Sequence, residues 1–202
     1  MTTLKKKIIQ LNPDYSNKHL FTVGHPLVNF DFKIKKNKIA GKTRILIIAE
    51  TGVNYKQLYK FYNKILENKN YEIYLREKKG QVVSKSLLEY SKIDRFNIDK
   101  ESNLFNSLKK NKINIVIGTQ STVLMETWIV GIPSIMLKSN FDYGYHLYKD
   151  GLVDLVKNVS QLNFVIRKNL KYSTYELEKK RDLIWGKDFF FNKKNLLMAL
   201  DL

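Results

Sequence analysis

Apolar residues along the chain gather in short continuous runs, separated by longer stretches with helical spacing. Arg44–Ala49 (RILIIA) is apolar from Ile45 onward, the pattern of a strand buried on both faces. Glu50-Thr51-Gly52 predicts a turn and Asn54 an N-cap. From Tyr55 to Asn68, Leu58, Phe61, Tyr62, Ile65 and Leu66 recur at helical spacing. Tyr71–Leu75 alternates like a strand, Ser84–Tyr90 predicts a short helix, and Ile93–Ile98 predicts a short strand. Ser102 is expected to cap a helix running through Leu108. Ile113–Ile117 (INIVI) is a second buried strand. A helix is expected from Thr119 or Gln120 to Val130, ended by Gly131, with Pro133 preventing continuation. Pro133–Leu137 and Leu152–Val156 are the last strands. After Ser160 the pattern is helical to the end, with a break near Gly186 and final helices at Thr174–Trp185 and Lys193–Leu200.

Strands alternating with helices of this length imply βαβ units. The expected fold class is α/β: a Rossmann-like parallel sheet sandwiched by helices, with C-terminal helices. The chain of 202 residues has the length of one good-sized domain. Met1–Asp31 reads differently from the rest, and residues 33–42 form a basic polar connector. The organisation is therefore residues 1–42 as N-terminal segment and hinge-like linker, then residues 43–202 as the domain. Open sheets of this kind bind ligands beyond the carboxyl ends of their strands, so the informative loops follow Ala49, Leu75, Ile117 and Leu137.

Of these, Ile113–Leu137 carries the most chemistry. Gly118 permits close backbone approach, and Thr119, Ser121 and Thr122, with Gln120 between them, supply polar side chains. Free N–H groups at a helix start favour a phosphate or diphosphate. Glu126, on the same helical face as Thr122, can accept hydrogen bonds from a ribose diol. The bland alternative makes Ser121 and Thr122 ordinary caps and Glu126 a solvated helix residue. Gly52, in the turn after the first strand, is either a ligand contact or a plain βα turn. Arg76, at the end of the second strand, is either a cation facing phosphate or a solvated strand-end residue. The aromatic loop Phe141–His146 can stack on a sugar or base. Trp128 and Trp185 are expected in the core.

Charge adds a preference for anionic partners, since the formal net charge is +17. The lysines are spread along the chain, so most are expected to be solvated surface. With no cysteine and three histidines, no disulfide and no metal site is expected. No signal-peptide core or membrane-length apolar run is present. The expectation is a cytoplasmic protein, with peripheral contact to an anionic inner membrane face left open. Nucleic acid ranks behind nucleotide ligands, because no helix-turn-helix, zinc-finger or RNP-like signature occurs.

The block from the Ile113–Ile117 strand through Gly118, Thr119, Ser121, Thr122, Glu126 and Gly131-Ile132-Pro133 resembles the donor-binding segment of GT-B glycosyltransferases. Capsule and lipopolysaccharide transferases and lipid A disaccharide synthase belong there, and UDP-GlcNAc 2-epimerases share the fold. The resemblance implies that Ser121 and Thr122 meet the diphosphate, that Glu126 holds the ribose, and that Gly131 and Pro133 are structural. Val23–Asp31 resembles the hinge entering the C-terminal half of these enzymes. Leu75-Arg76-Glu77-Lys78-Lys79 stands where many relatives carry Arg/Lys-Pro-His-Pro. The Pro-His-Pro is missing here, and Arg76 is the cation candidate. The resemblance runs from about Val23 to Val156, centred on Ile117–Pro133.

Two-domain members place the acceptor, and usually the catalytic base, on an N-terminal Rossmann domain, for which the residues before Val23 are too few. Three arrangements stay open: a subunit of a split transferase with a separate acceptor-binding partner, a fragment of a longer reading frame, or a sugar-nucleotide-binding domain without catalysis. The two-subunit GlcNAc transferase of dolichol-linked oligosaccharide synthesis is a precedent for the first. The implied ligand is a UDP-, GDP- or CMP/CDP-linked sugar used in surface polysaccharide or glycolipid synthesis. No cofactor is implied, and no catalytic residue is assigned. The competing readings are a 2-epimerase-like fragment and a non-catalytic basic protein that binds nucleotides or nucleic acid.

Overall fold

The computed structural model describes residues 41–50, 55–77, 90–139 and 145–185. Among them six strands form one sheet: β1 (Thr43–Ala49), β2 (Tyr71–Glu77), β3 (Phe96–Asp99), β4 (Ile115–Gly118), β5 (Ser134–Leu137) and β6 (Asp154–Val156). Their spatial order is β3-β2-β1-β4-β5-β6, and every pairing is parallel. This is the doubly wound Rossmann order, in which the winding reverses between β1 and β4. Ile45 stands between Ile73 and Ile115, and Ile47 between Leu75 and Ile117.

The two faces of β1 feed two cores. Ile45, Ile47 and Ala49 pack with Ile73, Leu75, Ile115 and Ile117 under helix α1 (Tyr55–Glu67), which presents Leu58, Phe61, Tyr62 and Ile65. That spacing is one helical stripe. On the other face Leu46 and Ile48 pack with Val116 and Met136 under α2 (Leu104–Lys110), α3 (Val123–Glu126) and α4 (Tyr145–Lys149). Helix α5 (Leu162–Leu170) returns to the α1 face through Leu162 and Ile166. Helix α6 (Thr174–Trp185) crosses behind α3, burying Leu177 against Trp128. Burial on both faces is why β1, β4 and β5 read as continuous apolar runs, whereas β2, half-buried, alternates.

Several boundaries differ from expectation. Helix α2 is capped by Asn103, not Ser102: the Asn103 side chain accepts from the N–H groups of Phe105 and Asn106. β4 starts at Ile115, because the Ile113 N–H closes the end of α2 on the Leu108 carbonyl. The third strand begins only at Phe96. The helix expected from Thr119 or Gln120 begins at Val123, and tightens to a 3-10 turn over Thr127–Val130. Gly131 ends that turn in the left-handed region, φ 72°, where glycine carries no Cβ penalty. The C-terminal helical stretch breaks at residues 171–173, where Ser173 and Glu176 form a reciprocal cap that starts α6. The expected features at residues 1–40, Gly52, Asn54, 84–89, 141–144 and 186–202 lie outside the described residues.

Two buried polar knots hold elements together. The Asp99 carboxylate accepts from Arg76 Nη1 at 2.6 Å, Ser107 Oγ at 2.7 Å and Asn111 Nδ2 at 3.3 Å. It thus ties β2, β3 and α2. Ser134 Oγ accepts from Trp128 Nε1 at 2.9 Å and donates to the Leu124 carbonyl. The first knot is ionic, with Asp99 fully buried and Arg76 15% exposed. Removing one partner of such a pair strands the other charge, at a cost of about 3–5 kcal/mol. Asp99→Ala is therefore expected to lower unfolding free energy by that amount in urea denaturation. Ser134→Ala, which strands only neutral groups, should cost about 1–3 kcal/mol. Equal losses for the two variants would contradict this ranking.

Candidate functional site

The winding reversal leaves a crevice beyond the carboxyl ends of β1 and β4. β1 ends at Ala49, so Glu50 is the first residue in it; β4 ends at Gly118, so Thr119 to Thr122 form the facing turn. These two chain segments meet through one carboxylate. Glu50 Oε2 accepts from the N–H groups of Thr119 at 3.0 Å and Gln120 at 2.9 Å. Its Oε1 accepts from Gln120 at 3.1 Å and Ser121 at 2.6 Å. Glu50 is only 8% exposed. A buried carboxylate needs such charge-assisted bonds to offset its lost hydration.

Gly118 eases this contact by lacking a side chain. A Cβ there would lie 3.3 Å from Glu50 Oε1 and 3.2 Å from Leu124 Cδ2. The Glu50 contact also accounts for the late start of α3, since the amides of residues 119–121 are turned towards the carboxylate. Ser121 then acts as a local cap: its Oγ accepts from the Val123 N–H at 3.2 Å.

The sequence-predicted residues divide accordingly. Gly118, Thr119, Gln120, Ser121, Thr122 and Glu126 are brought together along the crevice. Thr122 is exposed and donates its hydroxyl to Glu126 Oε1 at 3.1 Å, one helical turn away. Thr119 is 4% exposed, and among the described residues its hydroxyl oxygen has no hydrogen-bond partner. The amides of residues 119–121, expected to be free at a helix start, are all held by Glu50. Arg76 is also placed differently from expectation. β1 lies between β2 and β4, and the Arg76 guanidinium turns the other way. It binds Asp99 and the carbonyls of Glu101 and Ser102. Arg76 is thus an ion-pair partner within the fold. Gly52 lies outside the described residues.

Glu50 is the residue that sequence reasoning missed, having been absorbed into a turn. The available signal was its position: a carboxylate directly continuing a run buried on both faces must find donors at the strand end. Trp128 is in the core as expected, whereas Trp185 is only half-buried and donates its Nε1–H to the Met125 carbonyl at 3.0 Å. α6 is thereby fastened to the segment carrying Glu126. Among the described residues, no group of three or more acidic or histidine side chains could hold a metal ion, and no helix is long and apolar enough to cross a membrane.

No family model matches the sequence, and no curated protein matches it. Solved structures do match in fold. A UDP-N-acetylglucosamine 2-epimerase, so described, from Listeria monocytogenes superposes with TM-score 0.63 at 14% identity, covering 99% of this chain and 57% of that one. The glycotransferase of kitacinnamycin superposes with TM-score 0.61 at 12% identity, covering 94% of this chain and 51% of that one. The glycosyltransferase SnogD from Streptomyces nogalater gives TM-score 0.55 at 12% identity, covering 89% and 48%. The chain spans about half the length of these proteins. At such identities the likeness is one of fold, and that fold is the Rossmann-like half found in GT-B glycosyltransferases and in the 2-epimerase.

Proposed function

We propose that the chain is the donor-binding half of a glycosyltransferase for surface polysaccharide or glycolipid synthesis, taking a UDP-, GDP- or CMP/CDP-linked sugar in the β1/β4 crevice. The observation that carries this reading is the Thr122–Glu126 pair on the rim of the winding reversal. A carboxylate with a neighbouring hydroxyl suits a ribose diol, because the diol donates two hydrogen bonds and the carboxylate accepts both. The shared fold supports the reading, since proteins named as glycosyltransferases have it.

In the proposed reaction an acceptor hydroxyl attacks the anomeric carbon. Its proton passes to a base, and the nucleoside diphosphate, or the monophosphate of a CMP-linked donor, departs with the bonding electrons. This chain's part is to bind and orient the donor. The acceptor and the base belong to a second half, supplied by a longer chain or by a separate subunit. The proposed location is the cytoplasm, with peripheral contact to an anionic membrane face open to a chain of formal charge +17.

Calorimetric titration with UDP, GDP, CDP, CMP and one sugar derivative of each tests the reading. Saturable binding of one nucleotide series is expected. Hydrogen bonds to a charged group contribute about 1.5–3 kcal/mol, so Glu126→Ala should weaken that binding between about ten- and a hundredfold. Absence of binding at millimolar ligand, or an unchanged constant in the variant, rules the proposal out. Turnover of UDP-GlcNAc to its 2-epimer by the isolated chain would favour the epimerase reading instead.

A further inference from the structure

Three successive backbone N–H groups, from Thr119, Gln120 and Ser121, converge on one carboxylate that uses both of its oxygens. Concave runs of backbone N–H groups are general anion cradles, and a phosphate makes the same kind of contact. Here the anion belongs to the chain itself and arrives from 69 to 71 residues away. The fit is mutual, since a Cβ on Gly118 would press on both Glu50 and Leu124.

We propose that Glu50 is an internal counter-anion that fills the amide cradle at the β1/β4 crevice and shuts ligand phosphate out of it. It is thereby a specificity-determining residue: the ligand meets this point through its hydroxyl-bearing part. The identity of that ligand rests on the nucleotide-sugar reading, whereas the exclusion of phosphate rests on geometry alone.

A phosphate entering the cradle has to displace a carboxylate that is 8% exposed and then remain beside its charge. Two anions a few ångströms apart repel strongly where water is scarce. Exclusion thus has two sources, occupied donors and like charge. Glu126 lies further along the same segment and accepts from Thr122. Carboxylates therefore stand at both ends of the crevice segment. These carboxylates accept hydrogen bonds from hydroxyl groups and repel an anion.

The test uses inorganic phosphate as probe on the wild-type chain, Glu50→Ala and Glu50→Gln. In wild-type protein the 15N–1H resonances of Thr119, Gln120 and Ser121 should stay in place at millimolar phosphate. In Glu50→Ala the empty cradle should take phosphate, with the same three resonances moving saturably. The alanine variant should then bind phosphate at least about tenfold more tightly than wild type. Its melting temperature should also rise with phosphate beyond the general salting effect seen in wild type. Glu50→Gln fills the space without the charge and should show no comparable gain.

Saturable movement of the wild-type resonances overturns the proposal, because the cradle is then open. An alanine variant that folds without responding to phosphate overturns it as well. So does one that stays unfolded in phosphate while the glutamine variant folds. If neither variant folds, the wild-type resonances decide alone. Nucleotide takes no part in this test. A chain that passes it and binds no nucleotide keeps the role of Glu50 and loses the donor-binding reading. A chain that fails it and binds nucleotide loses the role of Glu50 and keeps the donor-binding reading.

Discussion

The whole arrangement depends on β1 being covered on both faces. From Ile45 to Ala49 the strand is buried, with β2 on one side and β4 on the other. A strand in that position has no free edge and no wet face, so its polar chemistry can act only at its ends. The winding reversal sets the carboxyl end of β1 beside that of β4, roughly 4.8 Å away in the sheet. Glu50 and the Gly118–Thr122 turn are consequently neighbours in space although far apart in sequence. The tie between them follows from the topology once an acidic residue occupies the first position past β1.

Among the described residues, the crevice does not share the chain's overall charge. The excess is +17, yet the described carboxylates of the crevice are Glu50 and Glu126. Arg76, at the carboxyl end of β2, is engaged with Asp99, and Arg44 pairs with Glu72 at the amino ends of β1 and β2. Lys168 is held by Asp154, which begins β6 at the opposite end of the sheet. The half-exposed members of these pairs add little stability in water, but they show that a formal count of lysines and arginines is a poor map of local potential. The Arg76–Asp99 pair is the exception in energy, because both partners are withdrawn from solvent.

Much of the architecture was legible because it depends on periodicity. The apolar runs at residues 45–49, 115–117 and 135–137 and the stripe of α1 marked strands and helix by local pattern alone. The reciprocal Ser173–Glu176 cap is a local signal too, and α6 was anticipated over its observed range. Partners distant in sequence were not legible. Nothing near Thr119 indicates that its amide bonds a residue 69 positions earlier, and this contact is what delays the start of α3. Arg76 failed for the same reason, since its partner Asp99 becomes a neighbour only when β2 and β3 pair. Thr122 and Glu126 were anticipated together because a helical turn is itself a local rule.

The bond from Trp185 Nε1 to the Met125 carbonyl has a consequence for the order in which the molecule is made. Synthesis adds roughly 5–20 residues per second, so β6 emerges some seconds before the end of α6. In that interval the sheet can be complete while Trp128 still lacks Tyr172, Leu177 and Ile184, which pack against it in the finished protein. The segment bearing Glu126 is thus fastened late, by the bond from Trp185 of α6 to Met125. A nascent chain stalled before Tyr172 presents an uncovered Trp128, the kind of surface that chaperones hold.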